Sequence, residues 1–473
     1  MFLTAPIITR LFLPEHFGVM QIFDSFLTLT GIVVCLKYEL TIPLGKDRQE
    51  ACASFVLSSF FTTIFATGSL IVVLLYRNTI SSLFENPDLA WYLWFFPVFV
   101  FVVGLTKALN FWASREGRFG IMALAWFGQL TYDRIFAILF GYMLAGSSIG
   151  LLIGRLAGAC ISLVLLIIPL WKKLLTEIRK AHLTIDILRV VGIRYKKFPL
   201  FNAGERLLVS FSLQLLPLIF GIYYSTTIVG YYALANRILM LPVFMLGRTF
   251  GQVFFPAAAK EYRETGNLSD IVMNFFTRLV QLSVFPMMVV GLFGTTLFSP
   301  VFGHEWGEAG FYAQLMSSWY CLLLLSQPLD IFALLNRQGL ALLITLFALL
   351  VRTLCLVIGV AFQPPQITIM FFVLFSVFLT LGRMACKFHL CGVSNLWAAG
   401  MMLKYIILSC TLLLPIKAMT QFIKNPNFEF VLLGLITLCY GAILMMFDTS
   451  IKRFITELLT KLMQRFYKTF GRG

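Results

Sequence analysis

Apolar sequence recurs along this chain in stretches of about twenty residues, long enough for an α-helix to cross the hydrocarbon core of a bilayer. No other feature restricts the fold as much. Within lipid, only helices and closed barrels satisfy every backbone N–H and C=O. A barrel is excluded, because its strands would alternate apolar and polar residues instead of staying apolar throughout. Of the 473 residues, 59% are hydrophobic and 12% charged. A soluble chain would carry roughly 25% charged residues. The expected fold class is therefore an all-α polytopic membrane protein.

The expected spans are 17–36, 51–76, 91–109, 119–145, 149–170, 203–224, 228–255, 271–296, 310–335, 338–361, 366–390, 399–422 and 428–448. Residues 1–13 form a shorter segment ahead of them, read as a truncated first helix. Pro14 and Glu15 follow it with no small-residue cleavage site, so it does not read as a cleavable signal peptide. Most loops are short. Segments 171–202 and 449–473 are longer, basic and amphipathic, a pattern that usually lies on the membrane surface.

Assigning the loops alternately to two sides puts 25 Lys and Arg on one side and four (Arg10, Arg77, Lys417, Lys424) on the other. The positive-inside rule makes the first side cytoplasmic and leaves the C-terminus there. The net charge of +16 is then explained by basic loops facing anionic headgroups, and nucleic acid is not needed as a partner.

An internal repeat divides the chain. Pro6, Gly18 and Pro43 are spaced by 12 and 25 residues, and Pro217, Gly230 and Pro256 by 13 and 26. Each set has a Pro late in one helix, a Gly opening the next, and a Pro just past its end. The expected organisation is an N-terminal lobe (1–170), a basic cytoplasmic linker (171–202), a pseudo-symmetric second lobe (203–390), two extra transmembrane helices (391–448) and a basic cytoplasmic tail (449–473). Each lobe would hold six helices, the first of them truncated. Repeats of this kind build transporters whose substrate site lies between the lobes.

Apart from those at span ends already counted with one side or the other (Lys107, Arg383, Lys387 and Lys417), the basic residues within spans are Arg134, Arg155, Arg206, Arg237, Arg248, Arg278, Arg352 and Lys404. The acids, leaving aside Glu429 and Asp448 at the ends of the last span, are Asp24, Asp133, Glu205 and Asp330. An unpaired Arg at mid-bilayer costs roughly 3 kcal/mol even on the lenient insertion scale, so such residues mark functional sites by default. Arg237 and Arg248 lie on one expected helix, about 20° apart around it and about 16 Å apart along it. A planar guanidinium that stays charged suits a phosphate, since it bonds two oxygens at once. Arg134 and Arg352 are further cavity candidates. Arg206 and Arg278 lie near span ends and can snorkel. Asp133–Arg134 also reads as a structural pair, and Arg155, beside Gly154 and Gly158, as a packing site. Asp24 reads equally as a proton or cation coupling site or as the partner of an arginine.

The cysteines suggest no chemistry. There are nine, scattered through apolar runs, and no spacing fits a disulfide framework. Cys386, His389 and Cys391 do not share one helix face and have no fourth ligand nearby, so no metal or other cofactor is expected. Gly154 and Gly158 form a Gly-x-x-x-Gly that permits close helix packing.

Several segments carry a resemblance when taken in order: Arg10-Leu11-Phe12-Leu13-Pro14-Glu15-His16-Phe17-Gly18; Lys37-Tyr38-Glu39-Leu40; Asn110-Phe111-Trp112 with Arg115; Tyr195-Lys196-Lys197-Phe198-Pro199; Leu216-Pro217; Gly230 through Arg237; Gly251 through Pro256; and Phe302 through Trp306, continuing to Gly310. Over essentially its whole length the chain resembles the bacterial polysaccharide flippases, which share a superfamily with multidrug and toxin extrusion exporters. The resemblance implies a substrate, an undecaprenyl-pyrophosphate-linked oligosaccharide repeat unit. It implies alternating access through a cationic cavity, with the polyprenyl tail left in lipid, and a multi-pass location in the bacterial inner membrane. It implies as partners the lipid-linked oligosaccharide, membrane lipids, a coupling proton or sodium ion, and the polysaccharide polymerase and chain-length proteins. Arg10 and Lys37 fall in family-like segments and join the candidates for the substrate cavity. The resemblance implies a complete helix before the Arg-Leu-x-x-Pro segment, and the 13 residues that precede Pro14 here are too few to span.

Two other functions compete. A cation-coupled multidrug exporter of the same superfamily should line its cavity with carboxylates, against the arginine excess here. A membrane glycosyltransferase or polysaccharide polymerase needs an exposed catalytic loop. The longest interior loop on the far side, about 77–90, has Glu85 and Asp88 but no Arg or His cluster. No nucleophile, metal set or phosphate-cradling glycine loop is recognisable, so the chain is not expected to be an enzyme.

Overall fold

A computed structural model of the chain describes residues 4–144, 146–196, 198–199, 203–362, 364–420, 432–437 and 440–441. Among these residues it is all-α, without strands. The tail expected at 449–473 and most of the span expected at 428–448 lie outside the described residues.

The helices are α1 (Ala5–Leu11), α2 (Pro14–Val33), α3 (Arg48–Leu83), α4 (Pro87–Arg115), α5 (Phe119–Met143), α6 (Ile149–Lys180), α7 (Ile185–Arg194), α8 (Ala203–Tyr223), α9 (Thr226–Thr265), α10 (Ser269–Phe302), α11 (Gly307–Ser326), α12 (Ile331–Leu334), α13 (Gln338–Ala361), α14 (Pro365–Leu390) and α15 (Asn395–Thr420). Ten described helices are long and apolar enough to cross a membrane. Helices α5 and α11 are not among the ten, although they occupy the places of the spans expected at 119–145 and 310–335.

By contacts the chain forms two compact units. The first is Met1–Ala235 with Val301–Ala309 and Gly339–Phe375; the second is Asn236–Pro300, Gly310–Gln338 and Ser376–Gly473. In the first unit, α5 and α6 form the most extensive helix pair, and α3 pairs with α4. Its core near the basic loops is built from Ile42, Cys52, Phe55, Leu109, Trp112, Leu166 and Leu170. Helix α6 runs ten residues past the expected span end at 170, to Lys180, where Glu177 pairs with Arg48 and Lys173 with Glu116. Helix α7 then packs on α3. Tyr38 donates to the carbonyl of Gly192 on α7 at 3.0 Å, and Arg194 pairs with Glu50.

Two expected spans end early. The span expected to reach residue 36 stops helically at Val33. Leu36 (φ 47°) and Lys37 (φ 62°) then turn left-handed into a 3-10 helix, Tyr38–Thr41. Left-handed conformations cost non-glycine residues of order 1–3 kcal/mol each, so surrounding contacts must hold them. Here Val34, Cys35, Tyr38, Glu39 and Thr41 are all buried. The span expected to reach residue 335 stops at Ser326, and Pro328 follows. Proline lacks the N–H that a continuing helix needs and disfavours helical geometry in the residue before it.

Glycine sets the closeness of α5 and α6. A Cβ at Gly154 would lie 2.6 Å from the Asp133 carbonyl oxygen, and one at Gly158 would lie 2.6 Å from that of Gln129. The Gly-x-x-x-Gly of α6 therefore lies directly on the α5 backbone. Gly158→Val should lower stability by about 1–3 kcal/mol through overpacking. Gly68→Ala, where nothing lies within 4 Å, should change little. Thermal unfolding of the detergent-solubilised protein measures both.

Candidate functional site

Four charged side chains meet inside the first unit. Asp24 lies on α2, Asp133 and Arg134 on α5, and Arg155 on α6. Arg155 Nη2 is 3.3 Å from Asp24 Oδ1, and its Nη1 is 3.6 Å from Asp133 Oδ2. Arg134 Nη2 is 3.9 Å from the same Asp133 oxygen. Asp133 and Arg134 are buried, and the Asp24 and Arg155 side chains are 18% and 32% exposed.

The local sequence explains this geometry. Arg155 sits between the two glycines that bring α6 onto α5. With no side chain at 154 or 158, the Arg155 backbone comes close enough for its guanidinium fork to reach one carboxylate on α5 and one on α2. Two arginines and two aspartates cancel in charge. That is how four ionised groups persist in a low-dielectric interior, where each alone would be costly. Asp24 thus stands at ion-pair distance from Arg155.

The other candidate residues lie elsewhere. Arg352, on α13, donates to Ser212 Oγ at 3.1 Å and lies over the Phe372 ring at 5.9 Å. Arg10 is exposed in the last turn of α1, against Gly303. Lys37 is held in the left-handed turn after α2, 3.9 Å from Glu39. Burial pushes the Glu39 carboxyl above the usual carboxylate range, against the opposing pull of Lys37 and Lys107. In the second unit, Arg237 is half-buried and Arg248 exposed on the same helix, α9. Asn236, beside Arg237, accepts a hydrogen bond from the Tyr320 hydroxyl.

Two lysines counted with the cytoplasmic side, at the ends of the spans expected at 91–109 and 366–390, lie within helices. Lys107 of α4 donates from Nζ to the carbonyl of Gly31, in the last turn of α2. Lys387 of α14 is buried and donates to the carbonyl of Ser326, the last residue of α11, at 2.7 Å. Each ammonium meets carbonyls that a helix C-terminus leaves without an intrahelical donor, at the negative end of its dipole. Counting charges by loop could not reveal this, because the recipient carbonyls belong to helices distant in sequence.

These features define a polytopic helical protein with a largely buried ion-pair cluster among its candidate spans. The chain resembles the lipid II flippase MurJ in its inward closed conformation, with 14% identity over 94% of this chain and 96% of that one, and a TM-score of 0.70. It also resembles an inward-facing multidrug resistance MATE family transporter of the MOP superfamily, with 13% identity over 85% of this chain and 94% of that one, and a TM-score of 0.65. At such identities the likeness is one of fold. Among curated proteins there is no sequence match. A family model described as polysaccharide biosynthesis protein matches residues 7–310, and the chain belongs to that family.

Arg155→Ala would leave Asp24 and Asp133 without their shared cation and should lower stability by about 3–5 kcal/mol. In a background of Asp24→Asn and Asp133→Asn the same change should cost much less. Thermal midpoints of the purified variants test this; equal losses in both backgrounds would rule out the coupling.

Proposed function

We propose that this protein is a flippase that carries an undecaprenyl-pyrophosphate-linked oligosaccharide repeat unit across the bacterial inner membrane by alternating access. Membership of the polysaccharide biosynthesis family and the MOP-superfamily fold support this reading. The observation that carries it is the surplus of arginine over acid within the spans, and where that surplus falls. In the first half, Asp24 and Asp133 are matched by Arg134 and Arg155. The excess therefore lies in the second half, with Arg206, Arg237, Arg248, Arg278, Arg352 and Lys404 against Glu205 and Asp330. Permanent cations suit a pyrophosphate. An organic cation would call for the opposite sign, which disfavours the multidrug exporter.

In this reading Arg237 and Arg248 of the second unit are contacts for the pyrophosphate and sugars, and Arg352, Arg10 and Lys37 of the first are further contacts for the same substrate. Arg134 acts by holding Asp133 for Arg155. Asp24 is the coupling residue: a proton or sodium ion taken up by its carboxylate competes with Arg155 and loosens the tie between α2 and α6.

Arg237→Ala and Arg248→Ala are expected to abolish surface polysaccharide with the protein level unchanged. Normal export in both variants would remove these residues from the mechanism. Asp24→Asn is expected to change how transport responds to an imposed ion gradient, and a wild-type response would remove its coupling role.

A further inference from the structure

The internal repeat pairs Gly18 with Gly230, and the fold brings the two together. A Cβ added at Gly18 would lie 1.7 Å from the carbonyl oxygen of Thr226, and one at Gly230 would lie 1.8 Å from that of Pro14. Both approaches are closer than at any other described glycine. The contact is reciprocal. Thr226 is four residues before Gly230 and Pro14 four before Gly18, so each glycine meets the carbonyl one turn earlier on the other helix. The opening turns of α2 and α9 thus cross backbone to backbone, with no room for a side chain between them.

Other tight glycines have a different setting. Gly141 with Gly150, Gly154 and Gly158 with α5, and Gly294 with Gly310 each join consecutive helices linked by a short connection. Gly18 and Gly230 join equivalent helices of the two repeats. The crossing also lies at the end of α2 and α9 away from the basic loops. Around it, Trp306 Nε1 donates to the Thr9 carbonyl at 2.7 Å, and its ring meets Phe17 at 4.8 Å. Asn86 Nδ2 reaches Thr226 Oγ1 at 3.4 Å.

We propose that the Gly18–Gly230 crossing is the closing point of the translocation route at its non-cytoplasmic end, with Trp306 as the cover seated on Thr9 and Phe17. This rests on the alternating-access reading above. The two repeats must part here once per cycle, and at the centre of the crossing a contact of bare backbone parts without side chains to disengage; only the surrounding contacts of Trp306 and Asn86 must be released. A methyl group on either glycine cannot be accommodated in the crossing, so it shifts the population towards the open form. The two glycines are positioning residues: they set the conformational balance and need not touch substrate.

The test uses the full chain in right-side-out membrane vesicles. Thr226 is buried at the crossing. Thr226→Cys serves as reporter for a membrane-impermeant maleimide, with the parent protein and its nine cysteines as background. Labelling of the reporter alone is expected to be low. Adding Gly18→Ala or Gly230→Ala is expected to raise it several-fold, whereas Gly68→Ala, at a glycine with nothing within 4 Å, is not. Unchanged labelling with either alanine, in protein that remains monodisperse on gel filtration, would overturn the proposal. If both alanine variants aggregate, Trp306→Phe decides. It removes the hydrogen bond to Thr9 and reduces the ring contact with Phe17, and is expected to raise labelling; no rise would equally overturn the proposal. The flippase reading fails separately, if export survives loss of Arg237 and Arg248. Unchanged labelling together with arginine-dependent export would sink the gate alone.

Discussion

A guanidinium inside a membrane must have its charge met, and in the first unit that requirement ties three helices together. Arg155 reaches Asp24 on α2 and Asp133 on α5 at once. It can do so only because Gly154 and Gly158 let α6 lie on the α5 backbone. Packing and charge are therefore one constraint. A larger residue at either glycine would lift Arg155 from its partners, and loss of Arg155 would leave two carboxylates in a poorly solvated interior. The cluster also connects α2, whose opening turn crosses α9, to the rigid α5–α6 pair. Any event at Asp24 is felt along a helix that takes part in that crossing.

The second constraint is the backbone itself. A polytopic chain can stop a helix inside the protein only where another group meets its last carbonyls. Lys107 does this for α2 and Lys387 for α11. The first lets the chain turn left-handed at Leu36 and Lys37 and bury Glu39. The second accompanies the break at Pro328. Both lysines follow from the energetics of orphan carbonyls in low dielectric.

Much of this was legible in the sequence, for identifiable reasons. Span length and apolar runs reflect bilayer thickness, so the all-α polytopic fold could be read directly. The Gly-x-x-x-Gly of α6 and the paired Gly18 and Gly230 were visible because glycine has a sharp steric meaning where backbones touch. Pairing across helices was not legible. The role of Arg155 as the hub, with both aspartates as its partners, depends on which faces meet. The unwinding after Val33 has no local signal: Leu36 and Lys37 are ordinary residues held in an uncommon conformation by burial. Lys107 and Lys387 were counted with the basic side because charge counting records position along the chain and not the carbonyl reached.

The central claim is that the arginine excess serves to pass a phosphorylated headgroup from one leaflet to the other. Its most direct test follows the lipid-linked repeat unit itself in cells depleted of this protein, by exposing intact spheroplasts to a glycan-cleaving or glycan-binding probe that cannot cross the membrane. The account predicts that repeat units accumulate and remain protected from the probe until the membrane is opened. Repeat units that reach the outer leaflet at the undepleted rate without this protein would contradict it.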